Sequence, residues 1–550
     1  MMKNKINLRS FDQSRFFHET ALLIVLFVFF TAAFYSIAKS SLSQLSQFSV
    51  IVSAVAVYFF GRVGLRVVVF PFSVFFVLLS IYLASNSLDI YYDGLSYHQD
   101  AILNLLHGDY SIFRNVVQGK YSYLTGNYPK LSWLFGAAII DSGWKVPASK
   151  AINYLLIVAV FFFSLSVLQV TVLKRLLLAL VLTLNPIAIS QIYSNYVDGV
   201  LGGFLTIEIL GLYQFLRVGG ERRIDGIQLI LIGAIGSSSL KFTGVVFSFV
   251  LIVFLLVWIF LRCRKTGFLV DQSIGSLYLD RRVLVVFGVL LIVGVVLLWN
   301  PYLNNILEGR HVFHPVLGAE KIENLISGQT RREFYELDQI SKLLISVFSQ
   351  SADHGPWAAT ILPPMKIPFA IYPGELVAFN AIDVRSAGWG PLFGGVLLLL
   401  LVVVLNSKIN AEWLFIFFAV FVVSVINPES WWARFNPQLY VFAVLQVAFL
   451  MEIDRKVAAF LFSMVLFVNS FLVFYPMHSY SAGVGNRVVE DLAVLAKDSK
   501  DGVLAWKMEK FHFESFFAAK GIKWVALQDA PLNGYSCKVV YGENICFVPK

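Results

Sequence analysis

Charge is scarce in this chain. Only 14% of its 550 residues are Asp, Glu, Lys or Arg, against about 25% in ordinary soluble proteins, which excludes a conventional water-soluble fold. Cysteine is scarcer still: three residues exclude a disulfide-built scaffold and leave room for one bridge at most. Neither a Walker loop nor a dinucleotide-binding glycine pattern occurs, which argues against a cytoplasmic ATPase or a nucleotide-sugar site. No internal repeat is visible either, and that disfavours a transporter built from repeated halves.

What the chain has in excess is apolar residues, 58% of the total with a mean hydropathy of +0.74. About thirteen windows approach the roughly 20 apolar residues needed to span a bilayer. They begin near positions 20, 47, 67, 149, 176, 199, 226, 244, 283, 389, 412, 437 and 457. A polytopic α-helical membrane protein is therefore expected, residues 1–477 forming the transmembrane module. The first window follows Lys3, Lys5, Arg9 and Arg15 and lacks a small-residue cleavage site, so it reads as a retained anchor. Two windows near 226–243 and 244–262 are parted only by Lys241-Phe-Thr243-Gly, which predicts a tight turn between them.

Basic residues give the orientation. With the N-terminus in the cytoplasm, the cytoplasmic turns hold Arg62, Arg66, Lys174, Arg175, Arg217, Arg222, Arg223, Arg262, Arg264, Lys265, Arg281, Arg282, Lys408, Arg455 and Lys456. The net charge of +9 then reflects these loops and not a nucleic-acid partner. Two long segments, 85–148 and 300–388, fall outside, as does the C-terminus. Cys263 lies on the reducing side, and Cys537 and Cys546 fall in the exported tail, where a disulfide between them can persist. Residues 478–550 alternate apolar runs with helix-like stretches, Val488–Leu495 and Phe511–Ala519, and read as a small periplasmic α/β domain closed by a hairpin carrying the two cysteines.

The first outer segment is the richest in chemistry. After Asp89-Ile-Tyr-Tyr-Asp93-Gly-Leu-Ser-Tyr97-His98-Gln-Asp100, the residues Leu95, His98, Ile102, Leu105 and Leu106 recur at helical spacing up to Gly108. This predicts an amphipathic helix on the membrane surface, with Asp93 as its N-cap and Gly108 as its stop. A carboxylate at such a boundary also suits a general base that takes the proton of an attacking hydroxyl.

The run from Asp93 to Asp100, followed by Leu106-His-Gly108-Asp and Asn127-Tyr128-Pro129-Lys130, resembles the first outer loop of C-type-fold (GT-C) glycosyltransferases that use polyprenyl-phosphate sugars. It is similar to bacterial relatives of the protein O-mannosyltransferases and of the aminoarabinose transferase of lipid A. Tyr196-Val-Asp198-Gly199, Leu240-Lys241-Phe-Thr243, Asn300-Pro301-Tyr302-Leu-Asn-Asn305, Phe313-His-Pro315, Gly388-Trp-Gly390-Pro-Leu-Phe393 and Trp432-Ala-Arg434-Phe-Asn-Pro437 follow in the order that family would have them. The resemblance implies a GT-C-like fold and places the catalytic acid at Asp93. One departure stands out: family members often carry an adjacent acidic pair, whereas position 94 is glycine, which keeps Asp89 and Asp100 open as the base.

Asp198 sits at an outer span end, as a site acid or as another cap, and Glu208 lies deeper in the same window. Lys241, Arg310 and Arg434 are the outer cations suited to a lipid phosphate; Arg434 is also suited to anchoring among headgroups with Trp431 and Trp432. Tyr97 and His98 complete the expected substrate-binding set. His311 and His314, with His98, His107 and His354, lack the cysteine or carboxylate company of a metal site, so no metal ligands are assigned. The resulting expectation is an inverting enzyme of a bacterial inner membrane. It would pass one sugar from a polyprenyl-phosphate donor to a glycan, lipid or protein acceptor of the cell envelope, such as lipopolysaccharide. It requires no cofactor beyond that lipid donor, with room left for a divalent metal. An O-antigen polymerase or ligase, or a lipid-linked-glycan flippase, is the alternative.

Overall fold

The computed structural model describes residues 13–61, 64–107, 110–113, 125–218, 222–266, 281–322, 334, 336–353, 362–498, 503–506, 517, 522–526, 537–540 and 543–547. Lys3, Lys5, Arg9, Arg62, Gly108, His354 and all of the expected helix Phe511–Ala519 except Phe517 lie outside them.

Among the described residues, eight helices are long and apolar enough to cross a membrane: Gln13–Ser41, Ser43–Phe60, Arg66–Ser85, Val146–Val167, Asp198–Arg217, Phe242–Arg264, Leu284–Leu307 and Lys456–Val494. The windows near 389, 412 and 437 form the shorter apolar helices Phe393–Leu405, Ala411–Val425 and Gln438–Glu452. The window near 176 is interrupted. Its helix Val172–Thr183 ends before Pro186, whose ring blocks the preceding turn, and a short helix Pro186–Ser190 restarts with the Asn185 side chain accepting from the Ile187 N–H.

Deeply buried helices form the interior, Gln438–Glu452 and two of the long spans among them. Gln13–Ser41 is buried along most of its length, and Asp198–Arg217 is buried along all but its last residue. Peripheral helices instead leave Phe59, Phe75, Phe249, Leu291 and Phe471 exposed, as a lipid-facing surface would. Asp198–Arg217 packs closely on the next helix, Arg222–Ser238, because glycines line the crossing. A Cβ on Gly211 would meet the Gly226 carbonyl at 2.7 Å, and one on Gly233 would meet the Glu208 amide at 2.8 Å. Glu208 is fully buried in this seam and accepts from the Ser248 hydroxyl at 2.8 Å.

The segment after Asp93 departs from its sequence reading. A π-helical turn, Gly94–His98, leads into the helix Gln99–His107. Its apolar face does not lie on lipid: Leu95, His98, Ile102 and Leu105 are buried against protein. The Tyr35 hydroxyl and Lys39 ammonium of the first helix donate to the carbonyls of Leu105 and Leu106. Periodicity identified an apolar face but not what would cover it.

In the second long segment, Gln339–Phe348 is capped by Asp338, whose carboxylate accepts from the Ile340 and Ser341 amides. Isolated bridges tie Ser349 to Met365 and Ala352 to Ser386. Lys366 and Glu375 form a buried ion pair at 2.7 Å.

The boundary expected at 477/478 falls inside one continuous helix, Lys456–Asp498. At 1.5 Å per residue, its 43 residues extend roughly 65 Å, about twice the apolar thickness of a bilayer. Four strands follow, β1 (Val503–Trp506), β2 (Lys523–Ala526), β3 (Cys537–Val540) and β4 (Glu543–Phe547), in the order β2-β1-β4-β3. Among the described strands, only β1 and β2 pair in parallel. The antiparallel register sets Cys537 opposite Cys546, and Cys546 is buried and disulfide-bonded, whereas Cys263 is free. Val489, Leu492, Phe517, Val540 and Ile545 share a core with Ile90, Tyr91, Leu95 and Tyr196, so this unit rests on the segment around Asp93.

Candidate active site

The link between helices Ala411–Val425 and Gln438–Glu452 carries Arg434. Asn436 fixes this link by donating to the carbonyls of Ser424 and Ser430, while its own carbonyl accepts from the Trp389 indole at 3.0 Å. Trp432 is anchored by donating to the Asp383 carbonyl at 2.8 Å. The Arg434 guanidinium lies 4.1 Å from the centre of the Trp432 ring and 4.9 Å from that of Phe435. From that seat, Nη1 reaches Asp93 Oδ2 at 3.0 Å and Asp383 Oδ2 at 3.4 Å. Three segments far apart in sequence therefore meet at one nitrogen.

Asp93 is not an N-cap. Its backbone is already helical, with φ −62° and ψ −36°, and its side chain makes no capping bond, turning to Arg434 instead. Its own N–H donates to the Tyr196 hydroxyl at 3.2 Å. Asp89 is used differently. Its carboxylate accepts from the Tyr91 and Asn195 amides and the Ser194 hydroxyl, stitching the first segment to the turn before Asp198. A Cβ at Gly94 would run into that same carboxylate and into Ser194. The second acid of the expected pair has no space at 94, because Asp89 fills it from five residues upstream. Asp89 and Asp100 are 3% exposed, whereas the Asp93 side chain keeps 21% of its surface open. Of the three candidates, Asp93 is the acid presented to the site.

Lys241 and Asp198 form a second ion pair at 2.5 Å, with the Lys241 ammonium 4.1 Å from the Phe435 ring centre. The glycine seam described above brings these two together, since it fixes how closely the helix beginning at Asp198 lies to the one that ends just before Lys241. Tyr97 and His98 belong to the same neighbourhood, their ring centres 4.1 Å apart, with His98 5.9 Å from Tyr196. The Trp133 indole donates to His98 Nδ1 at 2.9 Å. Burial pushes His98 down to about 3, so the ring is neutral and its proton sits on Nε2.

The field of the cluster follows from burial and pairing. Burial raises Asp93 above the ordinary carboxylate value; Arg434 opposes the rise, and the like charge of Asp383 adds to it. Burial disfavours the charge on Arg434, but Asp93, Asp383 and Asp198 outweigh it and hold the guanidinium protonated. Lys241 is drawn downward by burial, with Asp198 resisting. The arrangement thus offers a carboxylate of raised basicity beside two cations.

Sequence reasoning missed Asp383 and Arg385. The Arg385 guanidinium lies 4.4 Å from the Trp432 ring centre, so two arginines share one indole. An available signal was their position, an Asp-Val-Arg triplet just ahead of Gly388-Trp-Gly390. Arg310, by contrast, pairs with Glu308 at 3.1 Å, and His311 accepts from the Phe313 amide. Among the described residues no group of three His, Cys, Asp or Glu side chains is arranged to hold a metal.

No protein-family profile matches the chain, and no curated protein matches it. Among solved structures, the chain is similar to the crystal structure of ArnT from Cupriavidus metallidurans bound to undecaprenyl phosphate. The TM-score is 0.45 at 11% identity, over 87% of this chain and 99% of that one.

Proposed function

We propose that the protein is an inverting GT-C-like glycosyltransferase that moves a sugar from a polyprenyl-phosphate donor to an acceptor hydroxyl on the outer face of a bacterial inner membrane. In this reading the N-terminus is cytoplasmic and the C-terminal α/β unit periplasmic. The acceptor oxygen attacks the anomeric carbon, its proton passes to Asp93, and the bond from that carbon to the phosphate oxygen breaks. The departing polyprenyl phosphate is met by Arg434, and Lys241 stands beside it with Asp198 as counter-ion. A single displacement inverts the anomeric centre. Tyr97 and neutral His98 supply hydroxyl and N–H contacts to the sugar.

The observation that carries this reading is the sharing of Arg434 between Asp93 and Asp383, at 3.0 and 3.4 Å. A guanidinium with two carboxylates is an occupied anion site, and an arriving phosphate competes for it. As the phosphate takes the guanidinium, Asp93 loses its counter-ion and becomes the stronger base. The test is consumption of a panel of radiolabelled undecaprenyl-phosphate sugars by the full-length protein in lipid nanodiscs containing envelope lipids and glycans. One donor should be consumed, and Arg434→Lys, which keeps the charge but loses the fork, should consume it at least tenfold more slowly. Folded protein that consumes none of the panel would sink the transfer reading.

A further inference from the structure

Residues 362–373 read Leu-Pro-Pro-Met365-Lys-Ile367-Pro-Phe369-Ala-Ile371-Tyr-Pro, with one charge and four prolines. Their apolar side chains are not folded away. Met365 and Ile367 are 59% and 70% exposed, and Leu362, Phe369 and Ile371 are exposed beside them. The fold hides the charge instead: the Lys366 ammonium turns inward, donating to Glu375 at 2.7 Å and to the Pro391 carbonyl at 2.5 Å. A loop built for water would be arranged the other way round.

This segment is held against the first turn of helix Phe393–Leu405. The Lys366 amide donates to the Phe348 carbonyl at 3.0 Å and the Gln350 amide to the Pro364 carbonyl at 2.9 Å, which ties it to the end of helix Gln339–Phe348. Phe369 then lays its ring on Gly395, where a Cβ would stand 3.0 Å from the ring atoms. It adopts φ +68° to do so, a left-handed conformation rare for so bulky a side chain and kept only where the surroundings impose it. Trp389, just ahead of the helix, donates to the Asn436 carbonyl beside Arg434, so the segment lies at the Arg434 end.

Helix Phe393–Leu405 is short for its task. Its 13 residues rise roughly 20 Å, about 10 Å less than the hydrocarbon layer of a typical bilayer. Leu398, Leu399 and Val402 are exposed along it as a lipid-facing surface would be, and the apolar surface of 362–371 adjoins its first turn. An apolar loop in that place covers the shortfall. Irregular backbone is costly in lipid because its N–H groups go unpaired. Prolines carry none, the Lys366 amide is bonded as above, and the Ala370 amide donates to the Ile367 carbonyl at 3.0 Å.

We propose that residues 362–371 are a lipid-inserted wedge, seated where headgroups meet acyl chains on the Arg434 side of the membrane. The segment 300–388, expected from the sequence to lie wholly outside the bilayer, then enters it at this point. The wedge does not depend on sugar transfer, and its failure would leave that reading untouched. Full-length Cys263→Ser protein, its disulfide intact, is given a single cysteine in turn by Ile367→Cys, Ile371→Cys, Leu399→Cys and Glu490→Cys. Each is labelled with the fluorophore NBD in nanodiscs of phosphatidylethanolamine and phosphatidylglycerol whose acyl chains are brominated near the headgroup. Leu399 marks lipid; Glu490, exposed on the long helix next to the residues that pack on the strands, marks water. Labels at 367 and 371 should be quenched at least twofold more by the brominated lipid than the label at 490, and at least twofold less by aqueous iodide. Labels that follow Glu490 would overturn the wedge, and so would labels shielded from both quenchers, since protein and not lipid would then cover the segment. Either position decides the matter alone if the other variant fails to fold.

Discussion

Replacing Asp93 by Asn exchanges one carboxylate oxygen for an amide nitrogen and changes almost no volume. Arg434 loses the negative partner at 3.0 Å but keeps Asp383 at 3.4 Å on the same nitrogen, so the guanidinium is not left unpaired. The cost to folding should stay well below the roughly 3–5 kcal/mol of orphaning a buried charge. The backbone bond from Asp93 to the Tyr196 hydroxyl does not involve the side chain and persists. Transfer, in contrast, loses its proton acceptor and should fall about 10²–10⁴-fold, equivalent to about 2.7–5.4 kcal/mol of barrier. The assay is single-turnover transfer in nanodiscs, normalised to the folded fraction from size exclusion. A folded Asp93→Asn protein within threefold of wild-type activity would refute the assignment, and neither Asp89 nor Asp100 is open enough to inherit it unchanged.

On the proposed mechanism Asp93 accepts a proton and must be ionised, so transfer should rise with pH through its titration. Removing the like charge with Asp383→Asn should move this acid limb to lower pH, and a limb that stays or moves upward would contradict the assigned neighbourhood. Gly94→Ala should cost about 1–3 kcal/mol by driving a methyl into Asp89 and Ser194, whereas Gly288→Ala, with open space at its Cβ, should leave the melting temperature unchanged or slightly raised. A reporter active only outside the cytoplasm, fused after residue 550, should be active, and alkylation of unreduced protein should label Cys263 alone. A silent, stably expressed fusion would reverse the proposed orientation.

Helices were legible because hydropathy is a property of local sequence: each apolar window meets a helix in the described residues, but only eight of those helices are long and apolar enough to cross a membrane, and the window near 176 is interrupted. Lys241 and Arg434 stood out in the sequence because a cation beside a span end expected on the outer side is rare. Asp383 did not, since it lies in the long segment 300–388 with no periodicity to single it out, and its meaning arises only where Arg434 meets Asp93, 341 positions apart. The cap reading of Asp93 failed for a related reason. An acid ahead of an apolar helical run fits both a cap and a helical residue, and only the backbone angles distinguish them. The boundary expected at 477/478 rests on falling hydropathy and has no matching break in the backbone, because Tyr480, Val488 and Leu492 continue the same helix.

The glycines between Asp198–Arg217 and Arg222–Ser238 carry no chemistry, yet they set how closely two charged helix ends meet. The two helices act as the arms of calipers whose jaw is the Lys241–Asp198 pair. A methyl group added at Gly226, near the opposite end, would prise the arms apart and open the jaw without touching a charged residue. Variation among proteins built this way should therefore be constrained along the seam as tightly as at the reacting centre, and defects there would present as lost turnover in a protein that still folds.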